Sequence, residues 1–184
     1  MSLLELIITA IAVSMDAFAI SICKGLSVEK LKNKHLLSAG LWFGGAQALM
    51  PLIGFLLAFT FSDLIESFDH WISFALLLGL GVNMIVESFS KIESLNGCFS
   101  IKAMFPLAIS GSVDALAVGV TFAFLKVKIL PAVCLIGFTT FLFSMLGVKI
   151  GNAFGAKYKS KAEFVGGVIL ICLGVSILLK HTIL

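Results

Sequence analysis

The chain has no arginine, and only 12 % of its 184 residues are charged. All thirteen basic residues are lysines, dispersed along the chain without interleaved aromatics. That pattern argues against a nucleic-acid surface, which clusters its cations on one face. The four cysteines, Cys23, Cys98, Cys134 and Cys172, are scattered with no C-x-x-C, so neither a thiolate cage nor a disulfide framework is expected. The three histidines, His35, His70 and His181, stand far apart in sequence, which argues against a zinc site. No G-x-x-x-x-G-K-[ST] appears, so nothing here cradles a nucleotide triphosphate.

What the chain does have is apolar length. Sixty per cent of its residues are hydrophobic and its mean hydropathy is +1.14. A soluble domain of this size has no use for so much apolar surface. A membrane span takes about 20 residues. Six stretches qualify: Leu3–Cys23, Leu36–Phe61, His70–Phe89, Ala103–Leu125, Ile129–Ile150 and Phe164–Leu179. The loops are short and leave no room for a folded extramembrane domain. The first span lacks a basic n-region, since Glu5 is the only charge before Asp16, and reads as a span rather than a cleaved leader. The fold class expected is an all-α membrane protein with six transmembrane helices and lipid around it.

The lysines set the orientation. Lys24, Lys30, Lys32 and Lys34 fall in the first loop, Lys91 and Lys102 around the third, and Lys149, Lys157, Lys159 and Lys161 around the fifth. Lys126, Lys128 and Lys180 alone fall on the other side, where the second loop carries Asp63, Glu66 and Asp69. The positive-inside bias therefore predicts odd-numbered loops in the cytoplasm and both termini outside it.

One motif occurs twice. Ser14-Met15-Asp16-Ala17-Phe18-Ala19 reappears 98 residues later as Ser112-Val113-Asp114-Ala115-Leu116-Ala117. Weaker echoes follow: Gly40 and Gly54 match Gly137 and Gly151 at an offset of 97, and Leu80-Gly81-Val82 matches Leu173-Gly174-Val175 at 93. The chain thus reads as one transmembrane domain over 1–184, with a first repeat at 1–90, a linker at 91–100 and a second repeat at 101–184. Three spans per half is an odd number, so equivalent helices run oppositely through the bilayer. The result is a pair of inverted three-helix repeats, an arrangement that secondary transporters use with the substrate site near the midplane. Asp16 lies ~20 Å into its span and Asp114 ~16 Å into its own, at 1.5 Å per residue, which puts both near mid-depth. Small residues at spacing four (Gly111, Ala115, Gly119 and Ala123, with Ala17, Ser21 and Gly25 in the first repeat) let such helices approach closely.

An ionised aspartate in hydrocarbon costs about 2.5–3.5 kcal/mol on insertion scales. A chain that carries two in the same local wording is expected to use them together. Carboxylate oxygens suit hard divalent cations such as Mg²⁺, Ca²⁺ and Mn²⁺. Candidate ligands around Asp16 and Asp114 are the hydroxyls of Ser14 and Ser112 and the thioether of Met15. Further along lie Gln47, which needs a polar partner in hydrocarbon and precedes Pro51, and Asn83, one turn before Glu87. The competing interpretation is a pair of protonated, hydrogen-bonded aspartic acids. Glu87 reads equally as an entry or proton-relay carboxylate and as an interfacial side chain. An intramembrane aspartyl protease would also need two aspartates, but no G-x-G-D surrounds either one. No enzymatic activity is expected.

The chain resembles the MntP-type manganese efflux pumps, within the LysE-like exporter group. The resemblance rests on the two Asp motifs, Lys24-Gly25, Pro51-Leu52-Ile53-Gly54, Met84-Ile85-Val86-Glu87, Val118-Gly119-Val120 and Ala123-Phe124-Leu125, and it spans essentially the whole chain. It implies a bacterial inner-membrane protein that exports Mn²⁺ from the cytoplasm. Asp16 and Asp114 would be essential to transport, Glu87 would contribute, and Mn²⁺ would be substrate with no resident cofactor. Gln47 stands where some members carry an acid. Export of another cation such as Cd²⁺, or of an amino acid, remains open, and so does assembly as a homo-oligomer.

Overall fold

Apolar runs bounded by capping residues fold as helices in the computed structural model, which describes residues 1–59, 69–89, 98–154 and 159–183. Among the described residues seven helices follow in order: α1 (Leu3–Leu26), α2 (Asn33–Phe59), α3 (Asp69–Ser88), α4 (Ile101–Ser110), α5 (Val113–Phe124), α6 (Ile129–Phe154) and α7 (Lys159–Ile183). No strand occurs among the described residues. The acidic residues Asp63 and Glu66, the lysines Lys91 and Lys157 and most of the 91–100 linker lie outside the described residues.

α1 opens on a capping box. The Ser2 hydroxyl accepts the Glu5 amide at 3.3 Å, and the Glu5 carboxylate accepts the Ser2 amide at 2.9 Å, satisfying two otherwise orphaned donors. α5 closes on a Schellman turn. Lys126 sits at φ 52°, and the Val127 amide reaches back to the Phe122 carbonyl at 2.9 Å.

The helices are inside out by the standard of a soluble protein. α2 buries Gln47 to 1 % exposure while Leu41 is 67 % exposed. α6 buries Thr140 and Ser144 and exposes Leu130 and Phe138. Only a hydrocarbon solvent makes that arrangement favourable. α1, α2 and α6 are each long and apolar enough to cross a bilayer. α3 and α7 carry shorter apolar stretches, Trp71–Val86 and Glu163–Leu179.

One sequence expectation needs correction. The fourth span, Ala103–Leu125, is not a single helix: α4 and α5 meet at a 44° bend. The break falls at Gly111-Ser112, immediately before Asp114. The Gly111 amide returns to the Leu107 carbonyl at 3.0 Å and the Ser112 amide to that of Ile109 at 3.1 Å. The Ser112 hydroxyl donates to the Ala108 and Ile109 carbonyls at 2.7 and 3.0 Å. A hydroxyl thus serves carbonyls that a continuous helix would have paired with amides.

α1 packs on α6 and α7, α2 on α6 and α5, and α3 on α7 and α5. The tightest backbone-to-backbone approaches fall at two of these crossings. A Cβ on Gly25 would strike the Val148 carbonyl and one on Gly151 the Ile22 carbonyl, where α1 meets α6. Likewise a Cβ on Gly119 would strike the Pro51 carbonyl and one on Gly54 the Leu116 carbonyl, where α5 meets α2. These four positions require glycine because no side-chain adjustment could make room.

Candidate functional site

The centre of the bundle is organised by Gln47. Its amide nitrogen donates to the Val13 carbonyl at 3.3 Å and to the Gly111 carbonyl at 3.0 Å. Val13 lies three residues before Asp16, and Gly111 three residues before Asp114. One side chain therefore holds the matching carbonyls of both motifs within about 6 Å of each other. The amide oxygen of Gln47 is buried and accepts no hydrogen bond. Pro51, four residues on, has no N–H to give the Gln47 carbonyl. α2 thus brings an unsatisfied neutral oxygen, and a carbonyl deprived of its usual helix donor, to the place where the two motifs converge. Pro51 does this without ending α2, which continues to Phe59.

Asp16 and Asp114 are both partly buried, yet their settings differ. Asp16 lies in the middle of unbroken α1. Asp114 lies in the first turn of α5, where the helix dipole favours negative charge. Each has interactions within the bundle.

The serines of the two motifs are engaged with backbone. Ser14 donates to the Ala10 carbonyl at 2.6 Å, and its hydroxyl meets that of Thr140 on α6 at 2.9 Å. Ser112 serves the break described above. Met15 is 8 % exposed and lies against Gly166 of α7 and, with Phe18, on a cavity of about 460 Å³ between α1, α6 and α7. Phe143, Ile150, Lys161 and Val165 line its other walls. Asn83 stands on an exposed face of α3, next to fully buried Met84. Glu87 falls in the last turn of α3, and its side chain lies outside the described residues.

Among the described residues, no three His, Cys, Asp or Glu side chains gather in a metal-binding group. From the described residues, what the two motifs offer beside their carboxylates is neutral oxygens. Hard cations accept such oxygens.

The end of α1 near the 98–100 segment is tied down. Lys24 is fully buried and donates to the Cys98 carbonyl at 2.7 Å, with its ammonium 5.2 Å from the Phe99 ring centre. Asn152 of α6 donates to the Gly25 and Val28 carbonyls.

Three of these features escaped sequence reasoning: Thr140 as the partner of Ser14, Asn152 as the cap of α1, and Glu163, which is 4 % exposed on α7. Glu163 could have been found, because it stands three residues before Gly166 at the start of the stripe Leu170, Leu173, Ile177. The other two carry no local signal.

A family model described as "Putative manganese efflux pump" matches residues 30–178. The chain is 56 % identical to the putative manganese efflux pump MntP of Acetivibrio thermocellus, over 98 % of this chain and 92 % of that one. It is 57 % identical to the protein of the same name in Desulfitobacterium hafniense, over 97 % and 95 %. With that of Mannheimia succiniciproducens the identity is 53 %, over 100 % and 99 %. No solved structure matches.

Proposed function

The chain belongs to the MntP manganese efflux pump family, and on that premise we propose that it exports Mn²⁺ from the cytoplasm through a site between Asp16 and Asp114. The observation that carries the site is the Gln47 bridge between the Val13 and Gly111 carbonyls. It supports a midplane site to which each motif helix brings one carboxylate. Gln47 supplies a neutral oxygen from a third helix. The hydroxyls of Ser14 and Ser112 hold backbone in place and contribute to the site by positioning. Glu87, Asn83 and Met15 lie outside this minimal set.

Transport needs the bundle to open to each side in turn. The contact pattern supports inverted repeats: exchanging α1 with α4–α5, α2 with α6 and α3 with α7 returns the principal pairings of the bundle. The exchange is imperfect in one respect. Pro51 and Val148 are equivalent at the offset of 97, yet Pro51 meets Gly119, five residues after Asp114, and Val148 meets Gly25, nine after Asp16. The two motif helices thus sit about one turn, or ~6 Å, apart in register against their partners. Two like halves in unlike registers are what an alternating carrier requires.

Moving a divalent cation outward against ~100 mV, inside negative, costs about 4.6 kcal/mol, twice the single-charge value. Two protons taken up by the aspartates as the metal leaves would make the exchange electroneutral. Proteoliposomes test this. An inward-directed proton gradient should accelerate Mn²⁺ efflux, and indifference to the gradient would refute the coupling.

A further inference from the structure

The seam between α1 and α6 carries more hydroxyls than it pairs. Ser14, Ser21, Thr140 and Ser144 are all fully buried. Ser14 gives its proton to the Ala10 carbonyl at 2.6 Å, so Thr140 is the donor in the 2.9 Å pair that joins it to Ser14. The hydroxyls of Ser21 and Ser144 have no hydrogen-bond partner among the described residues. Thr140, Ser144, Gly147 and Gly151 are spaced to share one helix face. Gly147 shows that this face meets α1: a Cβ there would lie 2.7 Å from the Phe18 carbonyl oxygen and 2.8 Å from Ser21 Cβ. Ser144 therefore lies on the α1 side of α6, one turn, or ~6 Å, beyond Thr140. A buried hydroxyl without a partner is a net cost that alanine in its place would avoid.

The repeats supply an arrangement that uses both orphans. At the offsets of 97 and 98, Gly54 and Pro51 of α2 correspond to Gly151 and Val148 of α6, and Leu116 and Gly119 of α5 to Phe18 and Ser21 of α1. α2 and α5 meet at Gly54 with Leu116 and at Pro51 with Gly119. In the other repeat Gly151 meets Ile22 rather than Phe18, and Val148 meets Gly25 rather than Ser21. Both contacts are displaced by the same four residues, which is also the spacing of Thr140 and Ser144. A move of α1 by one turn along α6, towards its Lys24 end, gives it the register that α5 holds now. Ser14 then leaves Thr140 and comes level with Ser144. Ser21 replaces Gly25 beside Val148, whose carbonyl has a second lone pair to offer its hydroxyl. Ser21 also brings a Cβ to a place that only glycine fits at the present spacing, so α1 and α6 part there. The move releases Lys24 from the Cys98 carbonyl and Asn152 from those of Gly25 and Val28, the ties that hold the present register.

We propose that α1 ratchets by one turn against α6 in the transport cycle, with Ser14 exchanging Thr140 for Ser144. The inference rests on the export reading and on the equivalence of the repeats. One-turn jumps of one packed element past another are a known route between two discrete states. Asp16 rides on the same unbroken helix and moves ~6 Å with it. Ser144 is a positioning residue for the second register alone.

Cysteine pairs read the register directly in membranes. In the full-length chain with its four native cysteines replaced by alanine, Ser14→Cys is combined with Thr140→Cys, with Ser144→Cys or with Ile136→Cys. Ile136 lies one turn from Thr140 in the direction away from Ser144 and serves as the control. Oxidation by copper phenanthroline should close the first two pairs and leave the third open, counted as loss of thiol labelling in denaturant. A pair at 14 and 144 that closes no faster than the pair at 14 and 136 overturns the inference. So does Mn²⁺ export that persists with the disulfide between 14 and 140 closed. Ser144→Ala adds a readout that needs no cysteine. Its hydroxyl has no partner in the present register, so the thermal midpoint should hold or rise. The maximal rate of Mn²⁺ uptake by inside-out vesicles should nevertheless fall roughly threefold to tenfold, the equivalent of one hydrogen bond. An unchanged rate overturns the inference and leaves the exporter standing. Wild-type vesicles that take up no Mn²⁺, in a chain whose first two pairs both close, remove the export reading but not the two registers.

Discussion

The same six-residue wording folds in two ways in this molecule. In α1 it runs through an unbroken helix, and Asp16 projects from its middle. In the second half the chain breaks at Gly111-Ser112, and Asp114 starts a new helix after a 44° bend. The difference shows that the motif itself does not dictate the local backbone. Ser14 and Ser112 are equivalent, but Ser14 donates to a carbonyl within an intact helix and turns to Thr140, whereas Ser112 serves the carbonyls at the break. The first repeat thus offers its carboxylate from a rigid rod, and the second from a helix N-terminus beside a joint. In transporters, discontinuous helices place ion sites where freed backbone and helix ends can serve them.

The comparison can be broken most severely at the crossings that hold each motif helix against its partner. Gly119→Leu would drive a side chain into the Pro51 carbonyl and should cost ~3 kcal/mol or more. A large fall in thermal midpoint in detergent would record it. Gly25→Leu should do the same on the α1 side, so the two halves are predicted to be equally intolerant here.

Next in size is the bridge. Gln47→Leu preserves bulk but leaves the Val13 and Gly111 carbonyls without their shared donor, at about 2 kcal/mol. Mn²⁺ export assayed in vesicles should fall by tenfold or more. Gln47→Glu keeps an oxygen at the site and adds a charge, so it should retain more transport than Gln47→Leu. Equal activity in the two variants would show that the Gln47 oxygen is not a ligand.

The smallest effects should separate the two serines. Ser112→Ala removes the hydroxyl that serves two carbonyls at the joint, and Ser14→Ala removes one link to Thr140. Each should cost ~1 kcal/mol of stability. The joint lies next to Asp114, so Ser112→Ala should slow transport more than Ser14→Ala at matched amounts of folded protein.

Much of this was legible in the residues, for physical reasons that vary by feature. The helices follow from uninterrupted apolar runs, and the two aspartates stand out because charge is so costly in hydrocarbon. Gln47 was legible as a polar group in need of a partner, but not its partners, since Val13 and Gly111 come from distant segments. The break in the fourth span was not legible either. Gly111 and Ser112 occur in a stretch whose small residues equally suit close helix packing, and what holds the opened backbone includes the Gln47 amide from another helix. The burial of Glu163 is not legible because it stands at the edge of an apolar run, where a carboxylate ordinarily reaches water. Burial there is decided by how α7 seats against Met15 and Met84, which no single segment specifies.

The central claim is that the two aspartates act as one site. Intracellular manganese in a manganese-sensitive host, measured with wild type, Asp16→Asn and Asp114→Asn at matched expression, tests it most directly. The account predicts that wild type lowers cell manganese and that each near-isosteric variant alone abolishes the effect. Export retained in both variants would contradict it, and the repeated aspartates would then be structural.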